Sequence, residues 1–194
     1  MNTAEVLTPM PKLVREELGT EDHYEIIDGQ RVELPPMSAD SQALASRLVR
    51  HLSNHGIDRN LGEGYTEMLF KLPLGKDRNR RPDVAFVSYS RWPKYKPLPS
   101  TNAWDVLPEI CVEVVSPNDL GDEIETKVGE YFAAGVSLVW VVYPRQESVY
   151  VYDSPSRARR LNRADTLDGS TVLPDFRLPL ADLFLQPPPT PPQP

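Results

Sequence analysis

Asp83, Glu113 and Lys127 are the three side chains whose types and settings could do chemistry in this sequence. Glu113 interrupts the run EICVEVVS, which is apolar on both alternating faces and therefore reads as a central strand covered on two sides. An ionised carboxylate buried there without a partner costs several kcal/mol or takes up a proton, so a cation, a metal or a cluster of donors is expected beside it. Stepping about 100° per residue along DLGDEIETKVGEYFAAG puts Leu120, Ile124, Val128 and Tyr131 on one helical face, with Lys127 among them. The strand ends near Ser116 and the helix begins near Asn118 or Asp119, a connection short enough to fold Lys127 back beside Glu113. A lysine on such a stripe can also snorkel outward along its stem. Asp83 opens the run PDVAFV behind a proline that favours extended backbone, and strand ends of this kind line the crevices where open α/β sheets present catalytic groups. Taken alone, it equally fits a turn aspartate. Two carboxylates and one lysine meet the minimal needs of metal-assisted phosphodiester cleavage. Hard oxygen ligands hold Mg2+ or Mn2+, the ion polarises the phosphate and activates water, and the lysine steers that water and offsets developing charge. An internal ion pair between Glu113 and Lys127 accounts for two of the three residues without any catalysis.

Several elements must position these groups. In HYEIIDGQRVELPP, the stretches YEII and RVEL flank Asp28-Gly29, a dipeptide favoured in tight hairpin turns, which predicts an opening β-hairpin. ADSQALASRLVRHLSNHG carries Leu44, Leu48 and Leu52 at helical spacing, with Asp40 as the expected N-cap and Gly56 as the expected stop. Strands are expected at GYTEMLFKL, PDVAFVS and EICVEVVS, then the Lys127 helix, then strands LVWVVY and SVYVYD joined by PRQE. That order predicts an α/β (α+β) fold, a mixed sheet with helices packed against it. A chain of 194 residues, 40% hydrophobic, suits one domain. Its expected extent is 13–185, between a flexible N-terminal segment, 1–12, and a Pro-rich disordered tail, 186–194.

No apolar run is long enough to span a bilayer, and MNTAEVLTPMPKL lacks the pattern of a secretory signal, so a cytoplasmic protein is expected. Cys111, the single cysteine, reads as a small core residue. The net charge of −7 argues against a surface coated in positive charge, yet eight basic and two acidic residues fall between Lys71 and Lys96, leaving −13 for the rest. Within SYSRWPKYKPLPSTNAW, Arg91, Lys94 and Lys96 interleave with Trp92 and other aromatics, a composition suited to phosphate contact and base stacking. Arg81, in RNRR, is a further candidate for nucleic-acid contact. Aromatics that pin a long loop to the core would look the same.

The motifs YEIIDG, RPDVAFVS, VEVVSPND, the lysine in ETKVGEYFAAGV, LVWVVYP and TLDGSTVLPDFRLPLADLF follow one another in the order of one bacterial family. On these the chain, from about His23 to Phe184, resembles the Uma family of restriction-endonuclease-like proteins within the PD-(D/E)XK superfamily. The resemblance implies a restriction-endonuclease-like mixed sheet flanked by helices, with Asp83 as the PD aspartate and Glu113 as the acidic residue of the (D/E)XK strand. Val115 stands where the motif lysine usually does, and the functional lysine is carried on the following helix as Lys127. The implied activity is Mg2+- or Mn2+-dependent cleavage of DNA, with the main-chain carbonyl of Val115 as a further metal ligand. The alternative is a catalytically inactive module that binds nucleic acid or a protein partner. By analogy with nucleases that pair to cut two strands, a homodimer is expected. One departure is Ser41 in PPMSADSQ, near the place where family members often carry a histidine.

Other polar groups invite simpler readings. Glu67 fits an exposed strand glutamate, and Pro174-Asp175, which no lysine-bearing helix follows, a structural role. His51 and His55, four apart, fit late-helix residues beside a helix C-terminus rather than a zinc pair.

Overall fold

The computed structural model describes residues 23–75, 77–116 and 119–185, so the segments 1–12 and 186–194 singled out from the sequence lie outside the described residues. The described chain opens with the expected hairpin. β1 (Tyr24–Ile27) and β2 (Gln30–Glu33) pair antiparallel around Asp28 and Gly29. Their φ values of 52° and 78° are the two left-handed positions that a two-residue hairpin turn requires. In α1 (Ala39–Asp58), Leu44, Leu48 and Leu52 are buried as their spacing predicts. The N-cap, however, is Ser38 rather than Asp40. The Ser38 hydroxyl accepts from the Ser41 amide, and Asp40 sits in the first turn, where its charge suits the helix dipole. Gly56 does not stop the helix either: a Cβ on it would lie 2.5 Å from the Gly62 carbonyl oxygen, so it serves close helix-to-strand packing.

The run GYTEMLFKL divides between two sheets. β3 (Gly62–Thr66) ends at Glu67, whose φ of 49° turns the chain, and β4 (Phe70–Lys71) belongs elsewhere. There follow β5 (Asn79–Arg80), β6 (Val84–Ser88), β7 (Ile110–Val114), α2 (Gly121–Ala134), β8 (Leu138–Tyr143) and β9 (Ser148–Ser154). The described chain ends with β10 (Arg157–Asn162), β11 (Thr166–Gly169), β12 (Leu173–Pro179) and the short α3 (Leu180–Leu183). The strand RARRLN carries no apolar alternation to reveal it, because it is a sheet edge with Arg157, Arg159 and Arg160 all exposed.

The main sheet runs β10-β9-β8-β7-β6-β3, with β7 and β8 parallel across α2 and the other neighbours antiparallel. It has the mixed sheet, flanked by helices, that the element order predicts. Leu44, Leu48 and Leu52 of α1 share one core with Val84, Val112 and Trp140, while Ile124, Val128 and Tyr131 of α2 share another with Cys111, Val139 and Val141. The two helices thus cover opposite faces, and β7 is buried along its whole length. Cys111 packs in that core, as expected. Leu120 departs from its assignment to the inner face of α2: it is the N-cap residue and 63% exposed. A second, antiparallel sheet, β2-β1-β5-β4, brings the hairpin beside α2. Among the described residues no helix is long and apolar enough to cross a membrane.

Candidate active site

The sheet register brings the two acids together. Val84 pairs with Val112 across β6 and β7, and continuing that ladder by one residue sets Asp83 opposite Glu113, both on the face covered by α2. The Val114 amide donates to Asp83 Oδ2 at 2.5 Å, extending the ladder through a side chain. From α2, Lys127 Nζ donates to Glu113 Oε2 at 3.0 Å, and one turn on, the Tyr131 hydroxyl donates to Glu113 Oε1 at 2.6 Å. The i, i+4 spacing of Lys127 and Tyr131 is what lets one helix face hold both oxygens.

A third carboxylate completes the cluster. Glu25, on β1 and 1% exposed, lies 3.4 Å from Lys127 Nζ through Oε1, which also accepts the Arg81 amide at 3.0 Å. Its Oε2 accepts from Arg80 at 2.5 Å. Arg80 then pairs with Glu130 on α2, and Glu130 with Arg78, which reaches Asp28 in the hairpin turn. A continuous chain of ion pairs therefore runs from the surface turn to the buried acids.

Electrostatics follow from this crowding. Burial, first, and the facing Glu113 charge, second, push Asp83 up to about 8, against the Val114 amide and Lys127. Burial also raises Glu113, with Glu25 adding to it, while Lys127 and Tyr131 resist. Burial alone would lower Lys127, but Glu113 and Glu25 outweigh it and hold its ammonium charged well above its usual range. Glu25 remains low: burial opposes its ionisation most, yet Lys127 and Arg80 together prevail. The cluster thus has more carboxylate than its lysine and arginine neutralise, and Asp83 keeps a proton in place of a further cation.

Asp83, Glu113 and Lys127 line a cavity of about 470 Å3 whose other walls include Ile27, Leu34 and Met37. Ser41, fully buried at the start of α1, also reaches this wall. Among the described residues no three His, Cys, Asp or Glu side chains group as a metal set. Mg2+ commonly binds through one or two carboxylates with water and substrate oxygens filling the rest, so a two-carboxylate donor set fits it. Tyr131 holds Glu113 Oε1 and the Val114 amide holds Asp83 Oδ2, so a cation would draw on Asp83 Oδ1 and on Glu113 Oε2, the oxygen that Lys127 holds here.

Val115 lies on the other side of the strand. Its amide bonds the Val142 carbonyl of β8, and it borders a neighbouring cavity, whereas Val114 lines that of Asp83. Because the amide and carbonyl of one strand residue point to the same edge, the carbonyl directed toward Asp83 belongs to Val114. Arg81 lines the cavity, but its guanidinium bonds the backbone carbonyls of Tyr24 and Glu67. Arg91, Trp92, Lys94 and Lys96 are not brought to the site. They follow the C-terminal end of β6, whereas Asp83 precedes its N-terminal end, so the length of the strand, roughly 17 Å, lies between Asp83 and the start of their loop. Arg91 pairs with Glu109 and bonds the Leu107 carbonyl, Trp92 packs edge-on against Trp104, and Lys96 lies 3.7 Å over the Trp92 ring. The loop is folded on itself and pinned to the core. Glu67 stays outside the cavity wall, and His55 bonds the Pro174 carbonyl beside Phe176.

Glu25, Arg80 and Tyr131 are the site residues that sequence reasoning missed. The signal for Glu25 lay in the YEIIDG motif, a carboxylate flanked by residues of a short hairpin strand.

A solved structure described as a putative nuclease belonging to DUF820, from Anabaena variabilis ATCC 29413, is similar to the chain at a TM-score of 0.74 and 19% identity. The match covers 85% of this chain and 91% of that one, and shows a shared fold. No curated relative matches. The family model Uma2, described as "Putative restriction endonuclease", matches residues 10–181. Spanning nearly the whole chain, that match and the shared fold lead to one conclusion: the protein belongs to the Uma2 family of restriction-endonuclease-like proteins.

Proposed function

We propose that the protein is a Mg2+- or Mn2+-dependent endonuclease that hydrolyses phosphodiester bonds in DNA, with Asp83 and Glu113 as metal ligands and Lys127 as the cation beside the attacking water. The observation that carries this reading is the pairing of Asp83 and Glu113 across one ladder, with Lys127 3.0 Å from Glu113 on the wall of an open cavity. A divalent ion bound there would polarise the phosphate and lower the pKa of its water. Asp83 and Glu113 would each give one oxygen, joined by the Val114 carbonyl. Lys127 presents an ammonium to charge that develops on the phosphate, and being charged it would orient the attacking water by donating hydrogen bonds to its oxygen rather than by taking its proton. Tyr131 and the Val114 amide fix the carboxylate orientations, so little rearrangement is needed at the moment of reaction.

The test is incubation of purified protein with supercoiled plasmid, single-stranded DNA and RNA in Mg2+ or Mn2+, beside Lys127→Ala. Cleavage by the wild type and loss of it in the variant are expected. Equal cleavage by both, or by neither, defeats the enzymatic reading. The rival reading is an inactive module that binds nucleic acid or a protein, and one observation favours it: Ser41 lines the cavity near the place where family members often carry a histidine.

A further inference from the structure

Lys127 is shared between two carboxylates of different surroundings. Glu113 Oε2, 3.0 Å away, faces the cavity wall together with Asp83. Glu25 Oε1, 3.4 Å away, comes from a different sheet and is itself held by the Arg80 guanidinium and the Arg81 amide. Glu113 Oε2 is also the oxygen that a cation would claim, since Tyr131 occupies Oε1. An ammonium and a divalent ion therefore compete for one oxygen, and like charges repel across that distance. Glu25, on the wall of the same cavity, removes the conflict: it offers Lys127 a second acceptor, and the Arg80 guanidinium, itself paired with Glu130, holds its other oxygen in place.

We propose, resting on the metal-site reading above, that Glu25 is a positioning residue which takes Lys127 from Glu113 so that Glu113 can bind the divalent ion while the ammonium stays in the cavity. Glu25 touches neither ion nor substrate and acts through Lys127. The same contact ties the N-terminal hairpin to the catalytic face, so the hairpin becomes part of the site rather than a separate flap.

The experiment is calorimetric titration of Mn2+ into the full chain as wild type, Glu25→Gln, Lys127→Met and the double variant, a double-mutant cycle read on binding rather than cleavage. Residues that orient metal ligands typically change metal affinity by about 10- to 100-fold, so Glu25→Gln is expected to weaken Mn2+ on the order of 10-fold. In the Lys127→Met background the same change should cost about 2-fold or less, since no ammonium remains for Glu113 to hold. An equal loss in both backgrounds would show a through-space charge effect and overturn the proposal, as would no loss in either. Wild type that binds no Mn2+ would overturn the metal-site reading itself, which separates the two failures. Should Glu25→Gln fail to fold, Glu25→Gln/Arg80→Met, which also removes the guanidinium left without its carboxylate, carries the same comparison.

Discussion

Replacing Asp83 by Asn should stabilise the metal-free protein at alkaline pH while abolishing cleavage. Asp83 in the fold titrates at about 8 rather than 3.8, because burial and the facing Glu113 disfavour its charge. The folded state therefore holds a proton that the unfolded chain has released. This contribution to stability is fully present below about pH 4 and is lost as pH rises through about 8. At 1.36 kcal/mol per unit, ionising Asp83 costs the fold about 5 kcal/mol at pH 8.5. Asn cannot ionise, and its amide oxygen can still accept from the Val114 amide. With water entering the cavity around an ionised Asp83, about half the cost should remain for the substitution to relieve, a gain of about 2–3 kcal/mol. For a domain of this size that is roughly 4–12 °C in Tm. The assay is urea denaturation of both proteins in EDTA from pH 5 to 9. The wild-type stability should fall across that range relative to the variant, with the two curves converging toward pH 5. A variant no more stable than wild type at pH 8.5, or two parallel curves, would refute the claim that burial and the facing Glu113 keep Asp83 protonated in the fold.

Two further outcomes test the surroundings of the site. Lys94→Ala/Lys96→Ala should change cleavage of short DNA less than about 2-fold, because their loop leaves β6 at the end opposite to Asp83 and neither lysine lines the cavity; a loss of about 10-fold in kcat/KM would give the loop a role in substrate contact. Gly62→Ala puts a Cβ 2.4 Å from the Val87 carbonyl oxygen and 2.6 Å from Phe86, with backbone on one side that cannot yield cheaply. A loss of about 2–3 kcal/mol is expected by chemical denaturation, and an unchanged midpoint would contradict the close approach of β3 and β6.

The sequence disclosed the parts of the site that break a local rule. Glu113 is a charge in a strand otherwise apolar on both faces, and Lys127 a charge on a core stripe, and each stands out against its neighbours. Asp28-Gly29 specified the hairpin because so few dipeptides accept two left-handed residues. Glu25 obeyed its local rule: in a short hairpin strand a glutamate reads as the solvent side, and the groups that enclose it, Arg80, the Arg81 amide and Lys127 of α2, are all distant in sequence. Arg80 was hidden in RNRR, where one buried arginine looks like its solvated neighbours. Tyr131 was read for its ring alone, although its hydroxyl holds Glu113. Val115 follows from motif position, whereas the non-local pairing of its amide with Val142 of β8, and of the Val114 amide with Asp83, is not written in the motif. The loop after β6 was judged by composition and proximity in sequence, and a strand carries its two ends far apart.

The arginine-bearing β10 closes off one route of self-association. A strand adding to that border would have to strip water from Arg157, Arg159 and Arg160 and disturb the pairs that Arg157 and Arg159 make with Asp153 and Asp168. At the other border, β3 lies under α1, with Gly64 within 3 Å of the Val49 side chain once a Cβ is drawn on it. Both margins of the main sheet thus resist templating by another copy, which disfavours fibre growth at high concentration and directs any twofold assembly to helices or loops instead.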